Sequence, residues 1–245
     1  MLSIVWIVSI DGLVDIMLAG AQKIIDLYNN NEFKIFIVEG DHGYGKTAYA
    51  NRLIAEVYHK VMPDGQLKPN WDVNLFKKHL GFHPKHVLDL WMNKRKRDYV
   101  FHWDDAGLWL NALDYQDPFV KEVGKYLQVA RSDWGCIIFS CIDRDDIVNK
   151  VRSLRHAIVI DISKQGSSRI QPNIRTATAI TNWKSRDAKK TGFNYVWEER
   201  YNCMMPDPFY NWYQPLRNKY SIMAKELIKD KLEKKKDIMK YSIDV

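Results

Sequence analysis

The stretch FKIFIVEGDHGYGKTAYANRLIAEVY, residues 33–58, leaves the chain few folds to choose from. Its first seven residues are an apolar run of strand length, which predicts a buried strand. Gly40, Asp41, His42, Gly43, Tyr44, Gly45, Lys46 and Thr47 then follow the pattern G-x-x-x-x-G-K-T, and residues 46–60 carry helical periodicity. A strand, a glycine-rich turn and a helix in that order present backbone N–H groups at a helix N-terminus, where they favour phosphate. In such a loop Lys46 reaches the β- and γ-phosphate oxygens of a nucleoside triphosphate. The Thr47 hydroxyl ligates Mg²⁺, and Ala48 completes the first-turn residues that face the phosphates.

Triphosphate chemistry with Mg²⁺ needs a carboxylate at the same edge of the sheet. YVFHWDD (99–105) supplies two after a second apolar strand. Asp104 is expected to hold the Mg²⁺ coordination sphere and Asp105 to polarise an attacking water. An Asp before AGLWL also suits a helix cap, so one of the pair can cap while the other works. A third strand, CIIFSC (136–141), ends near Ser140. In ATPases with a strand between the loop strand and the Asp strand, a polar side chain there senses the γ-phosphate. The alternative is a serine satisfied by its own backbone. DRDDIVNKVRSL (143–154) reads as a helix leading to a fourth strand, AIVIDI (157–162). Arg152 and Arg155 near that junction either complement the helix dipole or reach the γ-phosphate of a neighbouring subunit in a ring.

Strands alternating with helices predict an α/β fold of three layers, a mainly parallel sheet covered on both faces, over residues 1–163. Helices are expected at 11–28, 71–80 and 85–96, with no strand between 61 and 97. The opening MLSIVWIVSI reads as a buried strand or helix. It is too short to span a bilayer and lacks the basic start of a signal peptide. In 164–205, RTATAITNW and FNYVWEERY flank KSRDAKKTG, predicting an antiparallel hairpin with a basic tip. A charged helical extension, roughly 209–240, fills 206–245.

The formal charge of +7 is regional: residues 77–97 carry a net +6 and 164–200 a net +5. That distribution favours a polyanionic partner such as DNA. Lys184, Arg186, Lys189 and Lys190 at the hairpin tip are the candidate phosphate contacts, and Trp183, Phe193, Tyr195 and Trp197 beside them are candidates for stacking on bases. Cys136, Cys141 and Cys203 show no CxxC spacing, so they read as thiols of a reducing, cytoplasmic compartment.

With these features placed, the chain resembles an additional-strand P-loop ATPase of the AAA+ or RecA-like kind. More narrowly, it is similar to the small AAA-type ATPases encoded by spindle-shaped viruses of hyperthermophilic archaea and related plasmids. GDHGYGKTAYA…AEVY, FHWDDAGLWL, GCIIFS…DDI and MPDPFYNWY carry the resemblance across residues 30–225. It implies ATP and Mg²⁺ as ligands, ATP hydrolysis of the type often called DnaA-like, and a role in replication initiation or helicase loading. Two alternatives stay open: a DNA translocase or genome-packaging ATPase, and an ATP-binding switch or scaffold with little turnover. The chain departs from the pattern in having Asp105 where glutamate is usual, and in lacking a clear lid motif. Arg217 is the positional candidate for the lid arginine.

Overall fold

The computed structural model describes residues 17–61, 67–153, 157–164, 172–184 and 191–241. The expected elements at 1–10 and over the first part of 11–28 lie outside these residues. Helix α1 (Ala19–Asn29) leads into strand β1 (Lys34–Glu39), the glycine loop and helix α2 (Lys46–Val57). A two-strand ribbon, β2 (Lys60–Val61) with β3 (Leu67–Lys68), is followed by α3 (Val73–His79), β4 (Leu80–Gly81) and α4 (Pro84–Met92). Then come β5 (Asp98–Trp103), α5 (Pro118–Tyr126), β6 (Trp134–Ser140), α6 (Asn149–Arg152) and β7 (Ala157–Ser163). The long strands β8 (Ile174–Lys184) and β9 (Thr191–Asn202) precede α7 (Asp207–Tyr241).

The main sheet has seven strands in the order β4-β5-β6-β1-β7-β8-β9. Its first five strands are parallel, while β8 and β9 run antiparallel to β7 and to each other. Thus β6 separates the loop strand from the Asp strand, and the hairpin continues the same sheet. Period-two alternation explains why both faces are covered. Phe36 and Val38 of β1, with Cys136 and Ile138 of β6, pack beneath α1, α2 and the start of α7. Ile35 and Ile37, with Ile137 and Phe139, pack on the other face against α4, α5 and α6. These are the three layers that the strand–helix alternation predicts.

Two expectations are corrected. Residues 61–97 are not all helix and loop: Leu80 and Gly81 pair in parallel with His102 and Trp103 as an edge strand. Two residues are too few to leave a periodic signal, and Phe76 and His79 before them are buried as helix residues. Residues 143–154 do not form one helix either. Asp143 closes a capping box on a 3₁₀ turn, Arg144–Asp146, and α6 then spans only Asn149–Arg152. Aspartates at successive first-turn positions favour local side-chain bonds to backbone N–H groups over helix continuation.

The most basic part of the 77–97 region, NKRKRD at residues 93–98, is partly structural. The Arg97 guanidinium donates to the carbonyls of Tyr28 (2.6 Å), Glu32 (2.6 Å), Arg131 (2.9 Å) and Leu27 (3.4 Å), tying the end of α1 to the turn before β6. Lys94 bonds Asp98 at 2.6 Å and lies 3.8 Å over the Trp134 ring. Arg95 and Lys96 remain exposed. Arg97→Ala therefore costs about 2–4 kcal/mol of folding stability by stranding those carbonyls, whereas Lys96→Ala stays within about 0.5 kcal/mol. Denaturant titration of the two variants measures the difference.

Candidate nucleotide-binding site

The glycine loop is fixed by backbone geometry. Gly40, Gly43 and Gly45 all have positive φ, at 140°, 74° and 91°. Any Cβ on Gly40 would stand 2.6 Å from the Ile162 carbonyl oxygen, and one on Gly45 2.8 Å from Cys203 Cβ. Only glycine fits either position. Gly45 is also the N-cap of α2, and no side chain caps that helix. Its first-turn N–H groups therefore face the loop without a side-chain acceptor, which suits a phosphate group. Lys46 Nζ donates to the carbonyls of Gly40 (2.7 Å) and Asp41 (2.9 Å), so the ammonium lies across the mouth of the turn. Burial lowers the Lys46 pKa, and the carboxylates of Asp105 and Asp104 act against that shift. Asp41, His42 and Gly43 form the exposed rim, Tyr44 is half-buried, and Ala48 is buried behind the loop. The Tyr201 hydroxyl donates to the Gly45 carbonyl at 3.0 Å, so the base of the hairpin rests on the loop.

Sheet register brings the polar residues to the loop. In β6 against β1, Ser140 pairs with Val38, and against β5, Phe139 pairs with Trp103. Ser140 consequently sits beside Asp104, one residue past the end of β5. Its hydroxyl donates to Asp104 Oδ1 at 2.5 Å and accepts from the Asp105 N–H at 3.0 Å. Its partners therefore include the Asp104 carboxylate and the Asp105 N–H, and the serine is not satisfied by its own backbone. Thr47 Oγ1 donates to the same oxygen of Asp104 at 2.9 Å. A threonine hydroxyl and a carboxylate joined where a phosphate loop enters its helix are the donor set that holds Mg²⁺ in such sites, so the residues fit that ion. Lys46, Thr47, Asp104, Asp105 and Ser140 are all brought together.

The two acids differ in their surroundings. Asp104 is fully buried. Burial by itself would raise its pKa, but His102 and the hydroxyls of Ser140, Tyr213 and Thr47 outweigh that effect and keep it below the usual carboxylate range. Asp105 has a left-handed backbone, φ 52° and ψ 37°, and opens a 3₁₀ turn without capping it through its side chain. So neither aspartate acts as the helix cap. About half of the Asp105 side chain reaches solvent, yet its position in the cleft and the neighbouring Asp104 charge push its pKa up to about 6. Arg217 Nε, 3.7 Å from Asp105 Oδ2, and Lys46 pull in the opposite direction.

Three contributors carry no sequence signal strong enough to single them out. His102 is fully buried, with Nδ1 2.9 Å from Asn51 Oδ1 and Nε2 3.3 Å from Ser140 Oγ. Burial pushes its pKa down to about 4 against the pull of Asp104, so the ring is neutral at neutral pH. Alternation along β5 puts residues 102 and 104 on one face, which is the signal that could have found His102. Tyr213 donates to Asp104 Oδ2 at 2.7 Å. The Gly81 carbonyl accepts from the Asp104 N–H at 2.9 Å, so the two-residue strand β4 positions the acid. Neither contact is legible locally, because each partner lies far along the chain.

Other sequence candidates sit elsewhere. Arg152 is ion-paired with Asp145 of the same chain. Arg155, Arg186, Lys189 and Lys190 lie outside the described residues, as does the side chain of Lys184. Among the hairpin aromatics, Trp197 is half-buried against Phe36 at 5.8 Å. A register shift between Ala179 and Ile180 separates it from Tyr195, which is exposed together with Phe193. Among the described residues, no helix is long and apolar enough to cross a membrane.

The charge arrangement around Asp105 can be measured. Its carboxyl ¹³C resonance is expected to titrate with a midpoint near 6. Arg217→Gln removes a neighbouring positive charge and moves that midpoint upward. An unchanged midpoint in the variant means that the guanidinium does not act on Asp105.

No family model matches the chain. In sequence it is 28% identical, over 211 residues, to the protein named uncharacterized protein B-251 of Sulfolobus spindle-shape virus 1; the match covers 81% of this chain and 79% of that one. In structure it is similar to the N-terminal domain of zonular occludens toxin from Neisseria meningitidis, with a TM-score of 0.38 and 13% identity, over 73% of this chain and 97% of that one. The chain is a three-layer α/β protein whose glycine loop, Thr47 and Asp104 form a P-loop-type site, and it is similar in sequence to a protein of a spindle-shaped virus.

Proposed function

We propose that this protein is a Mg²⁺-dependent ATPase of the AAA+ type that acts on DNA, in replication initiation or helicase loading. The observation that carries the ATPase reading is the junction of Thr47, Asp104 and Ser140 beside Lys46 at the uncapped start of α2. With a nucleotide bound, Mg²⁺ would neutralise charge on the phosphates and be held by Thr47 and Asp104. The α2 N–H groups and Lys46 bind the phosphates, and Ser140 keeps the acids in register with the loop. Asp105, once ionised, accepts a proton from the attacking water. The DNA reading is supported by Phe193 and Tyr195, 68% and 53% exposed on the hairpin arm, next to the basic tip sequence. A spindle-shaped-virus relative is in keeping with action on a viral genome.

A second reading, an ATP-binding switch with little turnover, is favoured by one contact. Arg217 pairs with Asp105, the residue that hydrolysis needs free. Steady-state phosphate release with and without DNA decides between the two. The expected result is Mg²⁺-dependent hydrolysis that rises with DNA and falls about 10²-fold or more in Lys46→Ala or Asp105→Asn. Tight nucleotide binding without turnover that depends on Lys46 supports the switch instead. Movement along duplex DNA, read by displacement of a third strand, would replace the loader reading with a translocase.

The hairpin has its own test. Phe193→Ala and Tyr195→Ala are each expected to weaken single-stranded DNA binding by about 1–3 kcal/mol in fluorescence anisotropy at fixed salt. Unchanged binding in both variants removes the hairpin from the DNA interface.

A further inference from the structure

Helix α7 reaches both acids of the site from outside the sheet. Residues 213, 217 and 220 recur at i, i+4 and i+7, so one face of the helix presents all three. Tyr213, buried, donates to Asp104 Oδ2 at 2.7 Å. Arg217 lies 3.7 Å from Asp105 Oδ2, and Tyr220 stacks on Phe82 at 5.0 Å. The other oxygen of Asp104 is already crowded, accepting from Thr47 at 2.9 Å, Ser140 at 2.5 Å and the Asp105 N–H at 3.2 Å. Oδ2 is therefore the oxygen with room for a further donor, and Tyr213 stands on it. With Asp104 at 0% exposure, solvent does not reach that oxygen while α7 is in place.

We infer that α7 is a latch over the catalytic acids, closed by Tyr213 and Arg217 and released when Mg²⁺ and a nucleoside triphosphate bind. The inference rests on the nucleotide reading of the site. Mg²⁺ held at the Thr47 hydroxyl would draw on the Asp104 carboxylate, whose less crowded oxygen is the one the Tyr213 phenol now occupies. A γ-phosphate offers Arg217 a stronger partner than a half-exposed carboxylate does, because it carries more charge and more acceptor oxygens. Both closing contacts are thus lost to the same ligand. The helix is weakened at the right point. Pro215, between the two latch residues, has no N–H to give and cannot complete the helical bond to residue 211. Release at this point would move the rest of a 35-residue helix, whose lysine-rich far half begins near Lys225. The state of the nucleotide would then be reported at the far half of α7.

Hydrogen exchange of the full chain tests the latch without relying on turnover. The amides of residues 209–222, Pro215 aside, are expected to exchange about tenfold or more faster when a non-hydrolysable ATP analogue and Mg²⁺ are bound, and to stay slow with the analogue in EDTA. The Tyr213→Phe, Arg217→Gln double variant should show the faster rate with no ligand at all, and should need about tenfold less Mg²⁺ to bind the analogue tightly. Exchange in β6 serves as the control for folding. If the double variant loses protection there too, the isosteric Tyr213→Phe change alone decides. Bound analogue with unchanged or slower α7 exchange overturns the latch and leaves the nucleotide site standing. No detectable binding of a fluorescent ATP analogue to the unaltered chain, with or without Mg²⁺, overturns the site and the latch together.

Discussion

The Asp104 carboxylate is a charge with no solvent contact, and the site is organised around keeping it there. A buried carboxylate is costly unless its lone pairs are filled by well-placed donors. Here each donor arrives from a different element: Thr47 from α2, Ser140 from β6, Tyr213 from α7 and the Asp105 N–H from the turn that follows. The edge strand β4 adds a restraint by accepting the Asp104 N–H at the Gly81 carbonyl. Removing any one of these leaves part of a buried charge unsatisfied, so the carboxylate ties together elements that the apolar core also packs against one another. A packed apolar core would hold the layers together, but it would not fix the Thr47 hydroxyl against the acid to within a hydrogen bond.

The same burial separates the roles of the two neighbouring aspartates. Asp104 stays ionised because His102 and the hydroxyls of Ser140, Tyr213 and Thr47 favour its charged form against the cost of burial. Asp105 is pushed toward neutrality by burial and by Asp104, and is held back by Arg217 and Lys46. One acid is therefore a fixed charge and the other a titratable one, which is how adjacent carboxylates come to do different work. Contacts of the hairpin with α1 and α2 extend the coupling. Glu199 accepts from the N–H groups that open α1 and from the Tyr49 hydroxyl of α2, while Tyr201 rests on Gly45. The hairpin thus rests on the glycine loop through Tyr201, and the long helix meets the two acids beside it through Tyr213 and Arg217.

Regional charge has a mixed meaning in this molecule. The run at 93–98 looks like one basic patch in sequence, but Arg97 caps backbone carbonyls and Lys94 is committed to Asp98 and Trp134. What remains for a polyanion there is Arg95 and Lys96. On the hairpin, Trp197 belongs to the core and the exposed aromatics are Phe193 and Tyr195. Charge and aromatic counts cannot separate these cases, because a guanidinium on a carbonyl and one on a phosphate are the same residue.

Much of the fold and the centre of the site were legible in the chain before any coordinates. The glycine loop, the alternating strands and helices, Asp104 at a strand end and Ser140 on the intervening strand all leave local patterns. Each depends on backbone sterics or on periodicity within a few residues. The sequence also determined that β8 and β9 form a hairpin, since two β-rich runs flank a short polar tip. Only the tertiary structure decided that β4 exists, that His102 stays neutral, that Arg97 is structural, and that α7 lies on Asp104 and Asp105 through Tyr213 and Arg217. The reason is common to all four. Each depends on where distant segments meet, 109 residues apart for Tyr213 and Asp104, and sequence carries no periodic signal at such separations.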